Sequence, residues 1–171
     1  RDHRNNILSL RAYYLENKQT MYPVIGNFRN MFFHILLDYM LTIMKMLHRN
    51  KKRLDEQIKV LKFEDLLTDL DKTMHDLCGW LGIRFQETLL TTTRLGLPAK
   101  SNSAFQTGIV SGVNPEFATR WKTQLSSYEI RMIEFLFGGS IEYLGYERMY
   151  SNNWKNKYLG AFSCLLPWKG E

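Results

Sequence analysis

Apolar positions recur at helical spacing over most of the chain. After Asp2, a residue type suited to a helix N-cap, Ile7, Leu10 and Tyr14 repeat on one face, which predicts an amphipathic helix from Arg4 to about Glu16. The stretch "QTMYPVIGN" breaks it. A long helix is predicted from Asn27 to Asn50, ending in the basic run "HRNKKR", a composition suited to a helix C-terminus. The segment "IKVLKF", Ile58 to Phe63, is the one convincing strand. A lone strand leaves backbone groups unpaired along both edges, so the pattern places its partners upstream of Arg1.

The second half is also helical in pattern. "DKTMHDLCGWLG" reads as a helix from an Asp cap, Asp69 or Asp71, to a stop at Gly82. A polar, glycine-bearing loop is expected over roughly Leu97 to Asn114. Pro115 suits the first turn of a helix, and Ser126 with Glu129 three residues on forms a capping-box pattern before "YEIRMIEFLFGGSIEYLG". The aromatic and basic tail, residues 148–171, has no assigned role, and the rest is taken as one partial domain within residues 1–171.

Composition narrows the function classes. With 171 residues the chain is long enough to bury a core, since a domain of about 150 residues removes about 68–70% of its unfolded surface from water. An apolar fraction of 44% and a charged fraction of 23% argue against a disordered chain. The net charge of +6 favours anionic partners. Met31 to Leu47 approaches membrane length, yet His34, Asp38 and Lys45 interrupt it, so a packed helix is expected and no membrane span. Cys78 and Cys164 have neither CxxC nor metal-ligand spacing; both read as free thiols, with a single disulfide as the alternative.

Arg1 and Ser9, eight residues apart across a helix start, have the chemistry of an anion site. A guanidinium offers a planar fork for two phosphate oxygens, and a hydroxyl on the following helix can donate to a third. Taken alone, the pair is a weak signal, and a surface Arg with a helix-face Ser is the simpler reading. Five segments in order extend it. "RDHRNNILS" resembles the 3'-phosphate-binding segment of the sulfotransferases that use 3'-phosphoadenosine 5'-phosphosulfate. "VLKFEDLLTD" resembles their strand-to-helix segment, with Phe63 where Tyr is usual, and "LCGWLGIRF" the stretch after it. "SNSAFQTGIVSGVNPEFATRWKTQLS" is similar to their cofactor-covering loop and helix, and "MIEFLFGGSIEYLGYE" to their terminal helix.

The resemblance implies an α/β fold, a P-loop-kinase-like parallel sheet with flanking helices, of which this chain is a mostly helical C-terminal portion. It implies that Arg1 and Ser9 hold the 3'-phosphate, that Ser101 or Ser103 adds hydroxyl contacts, that Arg120 reaches the phosphates and that Phe63 stacks near the adenine. It implies 3'-phosphoadenosine 5'-phosphosulfate as sulfuryl donor, 3',5'-diphosphoadenosine as product, and no metal. The acceptor, a carbohydrate, protein or small molecule, is not specified, and no catalytic residue is assigned. The 5'-phosphosulfate loop, a Lys or Arg followed by Gly and Ser or Thr, has no counterpart in the sequence, and it and the general base are expected upstream.

Bland readings stand beside these. Phe63 and Trp121 also suit packing, Arg120 a surface pair with Glu116, and Glu64 and Asp65 a structural role at the strand end. His34, His48 and His75 suit helix faces, and His3, next to Arg1, has no motif support. A non-catalytic nucleotide- or polyanion-binding module and a related P-loop kinase remain alternatives; nucleic-acid binding is not expected, "HRNKKR" reading as a solvated helix end. The compartment leans to the cytoplasm, with the Golgi lumen the alternative if an anchor precedes Arg1.

Overall fold

The computed structural model describes residues 1–21, 29–91, 93–94, 97–98 and 113–164. The described residues are mostly helical: α1 (His3–Met21), α2 (Arg29–Leu54), α3 (Phe63–Thr68), α4 (Leu70–Leu81), α5 (Trp121–Gln124), α6 (Ser127–Tyr143) and α7 (Trp154–Ser163). Among them the one β ladder is an antiparallel pair, β1 (Thr93–Arg94) with β2 (Leu97–Pro98), in the register Thr93 opposite Pro98 and Arg94 opposite Leu97. No parallel ladder occurs among the described residues.

Where a terminus depends on local chemistry, the expected caps are in place. Asp2 Oδ1 accepts from the Arg4 backbone N–H at 2.9 Å, closing the start of α1. Asp69, the nearer of the two candidate caps, accepts from Lys72 N–H at the head of α4, and Gly82 ends that helix at φ 68°, a left-handed conformation that costs an L side chain. Ser126 and Glu129 form the capping box of α6, and Pro115 opens a 3-10 turn, Pro115–Ala118, rather than an α-helix. Both main helices run beyond the sequence boundaries, α1 to Met21 and α2 to Leu54.

The expected strand Ile58 to Phe63 does not form. Residues 58–62 carry no regular structure, and Phe63 is the first residue of α3. The backbone is nonetheless extended at Ile58 (φ −123°, ψ 114°) and Lys62 (φ −78°, ψ 132°). Local preference for extension survives, but a strand is defined by its neighbours, and among the described residues no ladder partner stands beside this one.

The chain divides into two units. One comprises Arg1–Ala12 and Lys59–Gln124; the other comprises Tyr13–Ile58 and Leu125–Glu171. In the first, α3 packs against both the Pro115–Ala118 turn and α4, and Ile7, Leu8, Leu67, Cys78, Ala118 and Trp121 are buried. In the second, α6 packs on α7, and the His48 ring of α2 meets Tyr143 of α6 at 3.8 Å between centroids. Met40, Met44, Leu125, Ile130, Met132, Ile133, Phe137 and Ile141 are buried apolar residues of this unit. Two acids are buried there with their bonds made. Glu129 accepts from the Ser126 backbone and hydroxyl, and Glu134 from the N–H groups of Met149 (2.7 Å) and Tyr150 (3.0 Å). Among the described residues no helix is long and apolar enough to cross a membrane.

Candidate functional site

The first turn of α1 is a buried polar knot. Asp2, His3, Arg4 and Asn5 are all buried, an unusual density of polar side chains that requires each to find a partner. Arg4 answers Asp2 through a bidentate pair, Nη2 to Oδ2 at 2.7 Å and Nε to Oδ1 at 3.0 Å, and its guanidinium lies over the Trp121 ring, 3.8 Å from the centroid. Asn5 joins three segments: Nδ2 donates to Ala118 O at 2.6 Å and to Glu64 Oε1 at 3.3 Å, and Oδ1 accepts from Trp121 N–H at 3.3 Å. The same Glu64 oxygen accepts from the Asp2 backbone N–H at 3.0 Å. Glu64 thus ties the start of α3 to the start of α1, a structural role for one of the two adjacent carboxylates.

That scaffold sets Arg1 against Phe63, within reach of the positive charge of Arg120. The Arg1 guanidinium lies over the Phe63 ring, 5.0 Å from its centroid, and the Arg120 guanidinium lies over Phe117 at 4.1 Å. Although Arg1 as a residue is exposed, its head group is partly desolvated on the ring, and that burial is the largest influence lowering its pKa. Glu64 pulls the other way, the positive charge of Arg120 lowers it again, and Asp2 raises it. A guanidinium on an aromatic face with a second positive charge acting on it is a place where an anion relieves like-charge repulsion. Arg120, with Glu116, Thr119, Thr123 and Gln124, also lines an open depression.

Of the residues expected to bind nucleotide, Arg1 and Phe63 are in contact, and Arg120, whose own ring contact is with Phe117, acts on Arg1 through its charge. Phe63 is half-buried at a helix start, and its ring is in direct contact with the expected phosphate fork. Ser9 is half-buried on α1, about 9 Å along the axis from His3 at 1.5 Å per residue. Ser101 and Ser103, with most of the loop expected over Leu97 to Asn114, lie outside the described residues.

Arg4 and Asn5 are the residues that reading by motif passed over. Their partners lie 113 and 116 residues away in the case of Asn5, beyond the reach of any local pattern. The signal available in the sequence was the run "RDHRN" itself, five polar residues at the head of a helix whose next turns bury Ile7 and Leu8.

The histidines take packing positions where they are described. His75 Nδ1 lies 3.0 Å from Asp71 O, and its ring stacks on Phe85 at 3.6 Å. Burial lowers the His3 pKa to about 4, so its ring is neutral at pH 7. The side chain of His34 is outside the description. Both cysteines are free thiols, and burial pushes the Cys164 thiol pKa up. Among the described residues no cluster of His, Cys, Asp and Glu is arranged to hold a metal ion.

Searches with the whole chain match no family model, no curated protein and no solved structure.

Proposed function

We propose that the chain is part of a sulfotransferase of P-loop-kinase-like architecture, and that it supplies the half of the site that holds the 3'-phosphate and adenine of 3'-phosphoadenosine 5'-phosphosulfate. The observation that supports this reading is the Arg1 guanidinium lying over the ring of Phe63 with the positive charge of Arg120 acting on it, directly after an extended segment that turns into a helix. A phosphate set between the two guanidiniums would accept charge-assisted hydrogen bonds and remove their mutual repulsion. Ser9, Ser101 and Ser103 would contribute hydroxyls, and the ring of Phe63 an apolar face for the base.

In sulfuryl transfer, sulfur forms a bond to an acceptor oxygen or nitrogen as its bond to the phosphate oxygen breaks, and a base takes the acceptor's proton. The task of these residues in that reaction is positioning: they fix the nucleotide by its far phosphate, so that the sulfuryl group is held in line for attack.

Calorimetric titration with 3',5'-diphosphoadenosine tests the reading. Arg1→Ala should weaken binding about 10- to 100-fold, the worth of a hydrogen bond to a charged group, while adenosine 5'-phosphate, which lacks the 3'-phosphate, should bind both forms alike. Equal affinity for the diphosphate with and without Arg1 would defeat the assignment. A preference for adenosine triphosphate would favour a P-loop kinase, and binding without turnover in the complete gene product would favour a non-catalytic nucleotide-binding module.

A further inference from the structure

Helix α7 turns its aromatic residues to solvent. Trp154, Tyr158 and Phe162 recur at intervals of four, which places them within about 80° of one another around the axis, and they are 74%, 69% and 51% exposed. Leu159 extends the same side at 43%. Gly160 lies about 160° from Tyr158. It is buried against α6, where a Cβ at that position would stand 2.5 Å from the Phe135 Cβ and 2.9 Å from Arg131 O. The helix therefore docks by its glycine and presents its large apolar side chains outward, the reverse of the arrangement that buries a helix in a core.

Charge accompanies the ridge. Lys155 and Lys157 flank Trp154 and Tyr158 and are exposed, and α7 has no acidic residue. From Arg148 to Gly170 the sequence has four basic residues, Arg148, Lys155, Lys157 and Lys169, and no Asp or Glu. Arg148 is paired with Glu142 at 2.7 Å, and α7 itself has no carboxylate to set against Lys155 and Lys157. Trp and Tyr combine an apolar ring with a polar tip and settle at the boundary between hydrocarbon and water, and lysines there meet lipid headgroups of opposite sign.

We propose that the outward face of α7 is a docking surface for an anionic lipid bilayer, with Trp154, Tyr158 and Phe162 seated at the headgroup boundary and Lys155 and Lys157 on acidic headgroups. The helix lies along the membrane rather than crossing it. The proposal is independent of the nucleotide-binding reading, since it concerns the other unit of the chain.

Flotation of the whole chain with vesicles of phosphatidylcholine alone, or mixed with phosphatidylserine, is the test. Binding should require phosphatidylserine and weaken as salt is raised. Lys155→Gln with Lys157→Gln should lower partitioning about thirtyfold, and Trp154→Ser, Tyr158→Ser and Phe162→Ser together should abolish it. Because these side chains are exposed, circular dichroism and thermal midpoint should stay near those of the parent, which separates lost docking from lost folding. Failure to float with phosphatidylserine vesicles, or flotation unchanged in the triple variant, would overturn the proposal. So would sedimentation showing that the ridge instead joins two copies of the chain.

Discussion

Asn5 offers the sharpest test of how the candidate site is held. Asn5→Ala removes the amide that donates to Ala118 O and the oxygen that accepts from Trp121 N–H, both within a buried setting. Each stranded backbone group costs about 1–3 kcal/mol, so the expected loss is about 2–5 kcal/mol, a large share of a typical domain's stability. Asn5→Asp keeps the acceptor for Trp121, loses both donors, and sets a carboxylate beside Glu64; it should cost at least as much as the alanine. Urea unfolding followed by Trp fluorescence would report both, with a lowered midpoint and an unchanged slope. A loss below about 0.5 kcal/mol, the range of ordinary surface substitutions, would mean that the three segments are not joined through this side chain.

Three further outcomes are expected. His3 is neutral in the folded chain and has a pKa of about 4, against 6.5 when unfolded, so the unfolded state binds more protons between those values. Its contribution is complete above pH 6.5 and falls as pH drops toward 4, by about 3 kcal/mol, and His3→Leu should flatten that part of a stability–pH profile. Gly160→Ala would gain about 1 kcal/mol of helix propensity but drive a methyl into the Phe135 Cβ and a backbone carbonyl, for a net loss of about 1–2 kcal/mol by thermal melting; at Gly138 the nearest atoms to an added methyl are the guanidinium end of Arg148, a flexible side chain, so Gly138→Ala should cost less even though it disturbs the Arg148–Glu142 pair. Ser126→Ala opens the capping box of α6 and should lower stability by about 1 kcal/mol in urea titration, with faster hydrogen exchange in the first turn of that helix.

What could be read from the sequence was what neighbours in the chain decide. Asp2, Asp69, Gly82 and the Ser126–Glu129 pair mark termini through bonds to residues two to four positions away, Pro115 does so by its fixed φ, and the structure places each at a terminus. The stretch from Ile58 to Phe63 shows the limit: its residues favour extension, and the backbone is extended, but a strand needs a partner that the pattern does not contain. Helix α7 was invisible for a different reason. Its apolar residues face solvent and its packing contact is a glycine, so periodicity gives no inward face to recognise. At the candidate site, the chemistry of Arg1 and Arg120 was legible, but their approach to Phe63 and Phe117 depends on the Arg4–Trp121 and Asn5–Glu64 contacts. Arg120, which the sequence also let be read as a surface partner of Glu116, lies over the ring of Phe117, where a flat cation gains from stacking as well as charge.

The long reach of Asn5 also sets an order of events during synthesis. A ribosome adding about 5–20 residues each second takes roughly 6–23 seconds to travel from Asn5 to Trp121, and the exit tunnel lengthens the delay. Throughout that interval α1 can coil by its own local bonds, but the Asn5 amide has Glu64 to meet only midway, and Ala118 O and Trp121 N–H come last. Closure of the knot is therefore a late step, and a nascent chain arrested before the Pro115–Ala118 turn would carry its arginine cluster unassembled, open to chaperones and proteases that the finished protein excludes.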